Sequence, residues 1–216
     1  MTEIKICGFT RREDIEKSIQ LGIRIIGINF YDKSPRFVPP LMAKHLLASL
    51  PEDVDRIGVF VNPGEEELLR AVESLDLSGI QLHGDEPPSL LEEIRRRAPA
   101  ISIIKAVRVK SRETLASAIR IHQPDYLLLD AYDEKQEGGT GKRIDIGYLQ
   151  GVAIDWKRVF LAGGIGPDNA GRVIRLFRPY GIDSASGVES KPGIKDLEKV
   201  RRLIEVSHKA DRDMQS

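Results

Sequence analysis

The feature that most restricts the fold is a regular beat of short apolar runs. Eight of them, rich in Ile, Val and Leu, fall at residues 3–7, 25–30, 55–61, 79–82, 102–107, 126–130, 159–162 and 181–184. Short apolar runs of this kind read as strands buried on both faces, as in a parallel sheet. Their starts lie about 22 to 33 residues apart, room for one helix and two loops, which a parallel crossover requires. Helical patterns fill the gaps. Around 11–21, Ile15, Ser18, Ile19 and Gly22 share one side, with charges opposite. Residues 65–75 place Leu68, Leu69, Val72 and Leu75 at helical spacing, and put acids in the first turn, where the helix dipole favours them. Further helices are expected at 42–50, 89–98, 111–121, 167–177 and about 196–207, with a short turn near 146–150. Eight alternating units predict an α/β fold, a single compact (β/α)8 TIM barrel with parallel strands over residues 1–208. The alternative is an open doubly wound sheet. Residues 209–216 read as a frayed, solvated tail.

The chain has 216 residues, with 33 Lys+Arg against 33 Asp+Glu. That balance argues against a nucleic-acid partner, which usually demands a basic excess. No apolar run approaches the ~18 residues that span a bilayer, and the N-terminus lacks the plan of a signal peptide. A cytoplasmic location with no membrane partner is therefore expected. A single cysteine forbids an internal disulfide and a multi-cysteine metal site. Three of the four histidines (His45, His122, His208) fall in or at the ends of expected helical segments without His-x-x-x-His spacing, so no metal is expected.

Strand side chains alternate in direction, and in a barrel the outward set meets the helices. Ile4, Ile6, Ile80, Leu82, Leu127, Leu129 and Ile182 form the greasy outward set. Lys5, Cys7, Gln81, His83, Asp130 and Asp183 then point into one lumen, mostly at C-terminal strand ends, where barrel enzymes place their chemistry. Each has two readings. An inward charge such as Lys5 or Asp183 is costly unless paired or solvated at the mouth, and Lys5 is either a member of a structural ion pair or a functional group. Cys7 is a small buried apolar residue, or a reactive thiol whose pKa the neighbouring cation lowers. Asp130 caps a loop or acts as a general acid. His83 is a hydrogen-bonded filler or a functional group. Arg36, in Ser34-Pro35-Arg36, is solvated or clamps a planar carboxylate. The glycine-rich 138–142 is a lid or a long connection, and it lacks Walker spacing. Glycines after strands seven (Gly163, Gly164) and eight (beside Ala185 and Ser186) serve tight turns or a barrel phosphate site.

Taken together, Lys5-Ile6-Cys7-Gly8, Ser34-Pro35-Arg36, Gly58-Val59-Phe60-Val61-Asn62, Gln81-Leu82-His83-Gly84-Asp85-Glu86, Gly138-Gly139-Thr140-Gly141, Leu161-Ala162-Gly163-Gly164-Ile165 and Asp183-Ser184-Ala185-Ser186-Gly187-Val188-Glu189 resemble the phosphoribosylanthranilate isomerases. The resemblance runs in order from residue 3 to about residue 196. It implies an Amadori rearrangement of a phosphosugar substrate in tryptophan biosynthesis, without a cofactor, by a monomer or homodimer. It also implies that Cys7 is the general base and Asp130 the general acid. Arg36 would hold the anthranilate carboxylate, and Asp183 would contact a sugar hydroxyl. Backbone amides around Gly163, Gly164, Ala185 and Ser186 would hold the phosphate. Lys5 and His83 are lumenal members of the motifs, assigned to substrate binding. Ala185 stands where the family often has a second Ser, which removes a hydroxyl contact and keeps the N–H.

Overall fold

The computed structural model describes residues 1–109, 111, 113, 115, 124–131, 149 and 153–215. Eight strands close into a barrel in chain order. They are β1 (Glu3–Cys7), β2 (Ile25–Asn29), β3 (Asp55–Phe60), β4 (Gly79–Leu82), β5 (Ser102–Val109), β6 (Tyr126–Ala131), β7 (Val159–Leu161) and β8 (Gly181–Ser184). All neighbours in the barrel are parallel, and β8 pairs with β1 from Glu3↔Gly181 to Ile6↔Ser184. That pairing closes the ring and excludes the open sheet. The described helices are α1 (Arg12–Gln20), α2 (Pro40–Leu47), α3 (Glu65–Leu75), α4 (Pro88–Arg97), α5 (Ala170–Phe177) and α6 (Leu197–Asp213). The expected helix at 111–121, the glycine-rich 138–142 and the turn at 146–150 lie outside the described residues, apart from isolated positions. Among the described residues, no helix is long and apolar enough to cross a membrane.

The period-2 pattern sorts the apolar side chains into two cores. The outward set (Ile4, Ile6, Ile80, Leu82, Leu127, Leu129 and Ile182) packs with helix residues such as Ile15, Leu68, Ile94, Ile174 and Leu203. Ile25, Ile57, Ile104, Ala106, Leu128, Phe160 and Ala162 form a separate lumenal cluster. Each buried Ile, Leu or Phe side chain contributes roughly 1.5–3 kcal/mol. At the N-terminal end of the barrel, Tyr126 and Tyr180 pack against the Phe160 ring, at centroid distances of 5.6 and 5.2 Å. Neighbouring Gly181 makes room for that ring, since a Cβ there would stand 2.6 Å from it. This aromatic plug fills one end of the lumen, so its polar groups gather at the other.

Helix ends differ from expectation for local reasons. Proline is tolerated in the first turn, so α2 and α4 begin at Pro40 and Pro88, one or two residues early. The helix expected from Pro167 begins instead at Ala170. Asn169 Oδ1 accepts from Gly166 N and its Nδ2 donates to Gly164 O, which ties the preceding residues into a turn. A hairpin of β9 (Glu189–Lys191) and β10 (Ile194–Lys195) follows β8 and breaks the strand–helix beat.

The frayed tail expected at 209–216 is corrected. The last helix continues to Asp213, with Ala210 and Asp211 buried. Asp211 accepts from the Thr2 backbone N–H and from Thr2 Oγ1, both at 2.7 Å. A carboxylate with two buried hydrogen bonds anchors the helix end against the start of β1. Asp211→Ala leaves both Thr2 donors without that acceptor. A loss of about 1–3 kcal/mol is expected, read as a lowered midpoint in urea unfolding at unchanged slope.

Candidate active site

Parallel strands deliver their C-terminal ends to one mouth, and the expected lumenal residues sit on those ends. Lys5 on β1 lies opposite Asp183 on β8 in the register. Lys5 is 0% exposed, and its Nζ donates to Asp183 Oδ1 at 2.8 Å. Burial alone pulls the Lys5 pKa down. Asp183 and the nearby Cys7 outweigh it and hold the ammonium above its ordinary range. Of the two readings of Lys5, this geometry realises the ion pair.

Cys7 ends β1 beside Gly27 of β2, where a Cβ would stand 2.9 Å from the sulfur. The expectation of a cation-lowered thiol pKa is corrected. Burial is the largest influence and pushes the thiol above its ordinary value, although Lys5 and Lys195 pull the other way. The resting form at neutral pH is the thiol.

Across the ring, Asp130 is the penultimate residue of β6. Its Oδ2 lies 3.3 Å from His83 Nε2, just beyond β4. Gln81 Nε2 lies 2.9 Å from His83 Nδ1. With the amide donating, Nδ1 is the acceptor and Nε2 carries the proton toward Asp130. A buried ion pair fixes the segment that holds His83. Lys105 Nζ donates to Glu86 Oε2 and to Gly84 O, both at 2.7 Å, while Glu86 Oε1 accepts from Asn62 N and Gly84 N. Burial opposes the Glu86 charge, but Lys105 and the backbone amides of Asn62 and Glu86 win, holding its carboxyl below the usual range. Arg108 stands next to Asp130 in the β5–β6 register, a charged neighbour at the mouth that the sequence reading did not single out.

Arg36 is buried (7% exposed), which excludes the solvated reading of that loop residue. Its Nε and Nη2 donate to Glu189 at 2.9 and 2.6 Å. Gly8 permits this approach: at φ +77° it tolerates a turn that other residues resist, and a Cβ would stand 2.4 Å from Arg36 Cδ. The Glu189 hydrogen bonds and charge raise the Arg36 pKa. Glu189 also accepts from Lys195 Nζ at 2.7 Å and Gly193 N at 3.1 Å. Lys195 Nζ reaches back to the Cys7 carbonyl at 2.6 Å. Glu189 stands in a motif of the resemblance without a role, and Lys195 stands in none, because neither lies on a barrel strand. The signals for them are the acid that closes the Asp183–Glu189 motif and the turn chemistry of Lys191-Pro192-Gly193.

The four expected anion-binding positions come together after β7 and β8, adjacent strands in the sheet. Gly163 and Gly164 adopt φ of +82° and +71°. Ala185 precedes a single 3-10 turn, Ser186–Val188. Ser184 Oγ donates to Ile165 O at 2.7 Å and ties the two loops together. Among the described residues, no backbone carbonyl accepts from the N–H of Gly163, Gly164, Ala185 or Ser186. Amides of this kind, without a backbone partner among the described residues and without side chains at two of the four positions, can cradle an anion.

Residues 4–206 match the family model described as N-(5'phosphoribosyl)anthranilate (PRA) isomerase. The N-(5'-phosphoribosyl)anthranilate isomerase of Trichormus variabilis is 42% identical over 205 residues, covering 94% of this chain and 96% of that protein. The crystal structure of phosphoribosyl anthranilate isomerase from Thermus thermophilus is similar at a TM-score of 0.85 and 34% identity, over 96% of this chain and 99% of that one. A further such isomerase, solved in complex with reduced 1-(o-carboxyphenylamino)-1-deoxyribulose 5-phosphate, has a TM-score of 0.83 and 33% identity, over 97% of this chain and 100% of that one. With the match spanning nearly the whole barrel, the chain belongs to the N-(5'-phosphoribosyl)anthranilate isomerase family, a family of tryptophan-biosynthetic isomerases.

Proposed function

We propose that this chain performs the Amadori rearrangement of N-(5'-phosphoribosyl)anthranilate, with Cys7 as general base and Asp130 as general acid. The observation that carries the reading is that one mouth holds both a thiol, ending β1, and a carboxyl, near the end of β6. An acid and a base on separate walls address different atoms of one pentose. The acid protonates the furanose ring oxygen, and the ring opens to a Schiff base. The base then removes the proton from sugar C2, and the resulting enolamine tautomerises to the ketone. The aniline nitrogen of the substrate serves as electron sink, so the step calls for no cofactor.

The other groups divide the substrate among them. Arg36 holds the anthranilate carboxylate, with Nη1 available beyond the two nitrogens bound to Glu189. Asp183 keeps Oδ2 for a sugar hydroxyl, because Lys5 occupies Oδ1. Lys5 serves through Asp183 rather than by direct contact. His83 orients Asp130. The N–H groups of Gly163, Gly164, Ala185 and Ser186 hold the phosphate, and Ala185 serves with its backbone alone.

The tests follow from these roles. Cys7→Ser lowers kcat by about 10²-fold or more, while the reduced product analogue still binds. Near-normal turnover removes the thiol from the mechanism. Because the Cys7 pKa lies above its ordinary value, the rate of Cys7 alkylation by iodoacetamide rises about tenfold per pH unit through the neutral range. A flat alkylation rate there contradicts a neutral resting thiol. Asp130→Asn loses turnover by a similar factor at unchanged unfolding midpoint, and retained kcat overturns the acid role.

A further inference from the structure

The hairpin after β8 places two charges behind Arg36 that the proposed reaction does not use. Glu189 sits at its start and Lys195 at its end, and both are buried. Glu189 binds Arg36 and Lys195 at once, so two cations share one carboxylate. Burial opposes the Glu189 charge, but Arg36 and Lys195 prevail and hold its carboxyl below the usual range. Lys195 is also fixed by the Cys7 carbonyl and by the Phe9 ring, whose centroid is 5.3 Å from Nζ. The side chains of the triad carry a surplus of one positive charge, although burial draws the Lys195 pKa down against the pull of Glu189. A surplus buried away from water is costly unless an anion meets it.

We propose that Lys195 is a positioning residue for ligand-carboxylate recognition: it holds Glu189, so that the charge of Arg36 is left for the aromatic carboxylate of the substrate. Without Lys195, Arg36 and Glu189 neutralise each other, and an arriving carboxylate meets a closed pair and a like charge. With it, Glu189 still aims the guanidinium through two hydrogen bonds while a second cation offsets its charge. Lys195 itself does not touch the ligand. Specificity for a carboxylated aniline over a plain one thus depends on a residue behind the binding surface. The inference rests on the assignment of Arg36 to the carboxylate.

Two probes separate the inference from that assignment: reduced 1-(o-carboxyphenylamino)-1-deoxyribulose 5-phosphate, and the same molecule lacking the ring carboxyl. Their Kd ratio is measured by calorimetry for the wild type and variants. Arg36→Met is expected to erase the preference for the carboxylated probe. A preference that survives there removes the Arg36 assignment and this inference with it. Lys195→Met is expected to reduce the preference about tenfold by weakening only the carboxylated probe. Equal weakening of both probes, with the Arg36→Met result as expected, overturns the inference alone and leaves Lys195 a structural brace. Adding Glu189→Gln to Lys195→Met restores a net positive charge and is expected to recover most of the preference. A double variant as poor as Lys195→Met also overturns it. Should Lys195→Met fold poorly, the substitution is compared within the Glu189→Gln background, where its effect is expected to stay under about twofold. A tenfold loss there means that Lys195 acts on the ligand directly, contrary to the proposal.

Discussion

The Lys5–Asp183 pair is the interaction on which the remaining geometry rests. It joins the first barrel strand to the last, at the seam where the ring closes. A lysine with no exposed surface is tolerable only because a carboxylate meets it, and removing one partner from such a pair typically costs 3–5 kcal/mol. The pair also sets the level of the site. Two residues further along β1 the chain reaches Cys7, so the sulfur stands directly above a layer of fixed charge. The thiol pKa is therefore a property of the seam as well as of the cysteine. Asp183 and burial raise it, and Lys5 and Lys195 lower it.

A second buried pair does comparable work beside β4. Lys105 and Glu86 pin the backbone that follows Leu82, and Asn62 is drawn in through its N–H. The consequence is a rigid platform for His83, whose Nε2 lies 3.3 Å from the Asp130 carboxyl. Both pairs exchange desolvation for position. The first lies in the lumen, and the second has Lys105 on the outward face of β5, between Ile103 and Val107, behind the turn that carries His83.

The barrel and its lumenal set were legible because alternation is a local property. Ile4 and Ile6 face outward, so Lys5 and Cys7 face inward, and no distant residue alters that. What escaped was long-range. Arg36 is buried because Glu189, 153 residues later, folds onto it. No periodicity in Ser34-Pro35-Arg36 carries that information. Lys195 and Cys7 meet across 188 residues. The thiol pKa was misread for a related reason: the neighbouring cation is visible in sequence, but the burial that overrides it comes from packing of the whole barrel. The final helix was cut short because Lys209-Ala210-Asp211-Arg212 looks like a solvated run. Its buried face appears only when Thr2 is placed beneath Asp211.

That contact between Thr2 and Asp211 has a further consequence. It brings positions 209 residues apart in sequence to hydrogen-bonding distance, so the two ends of the barrel lie side by side. Joining them with a short flexible peptide would add little loop-closure entropy, because the span is already closed by the native fold. New ends could then be opened at a surface turn remote from the mouth. The order in which strands are made during synthesis would change while the seam beneath the sulfur stayed intact.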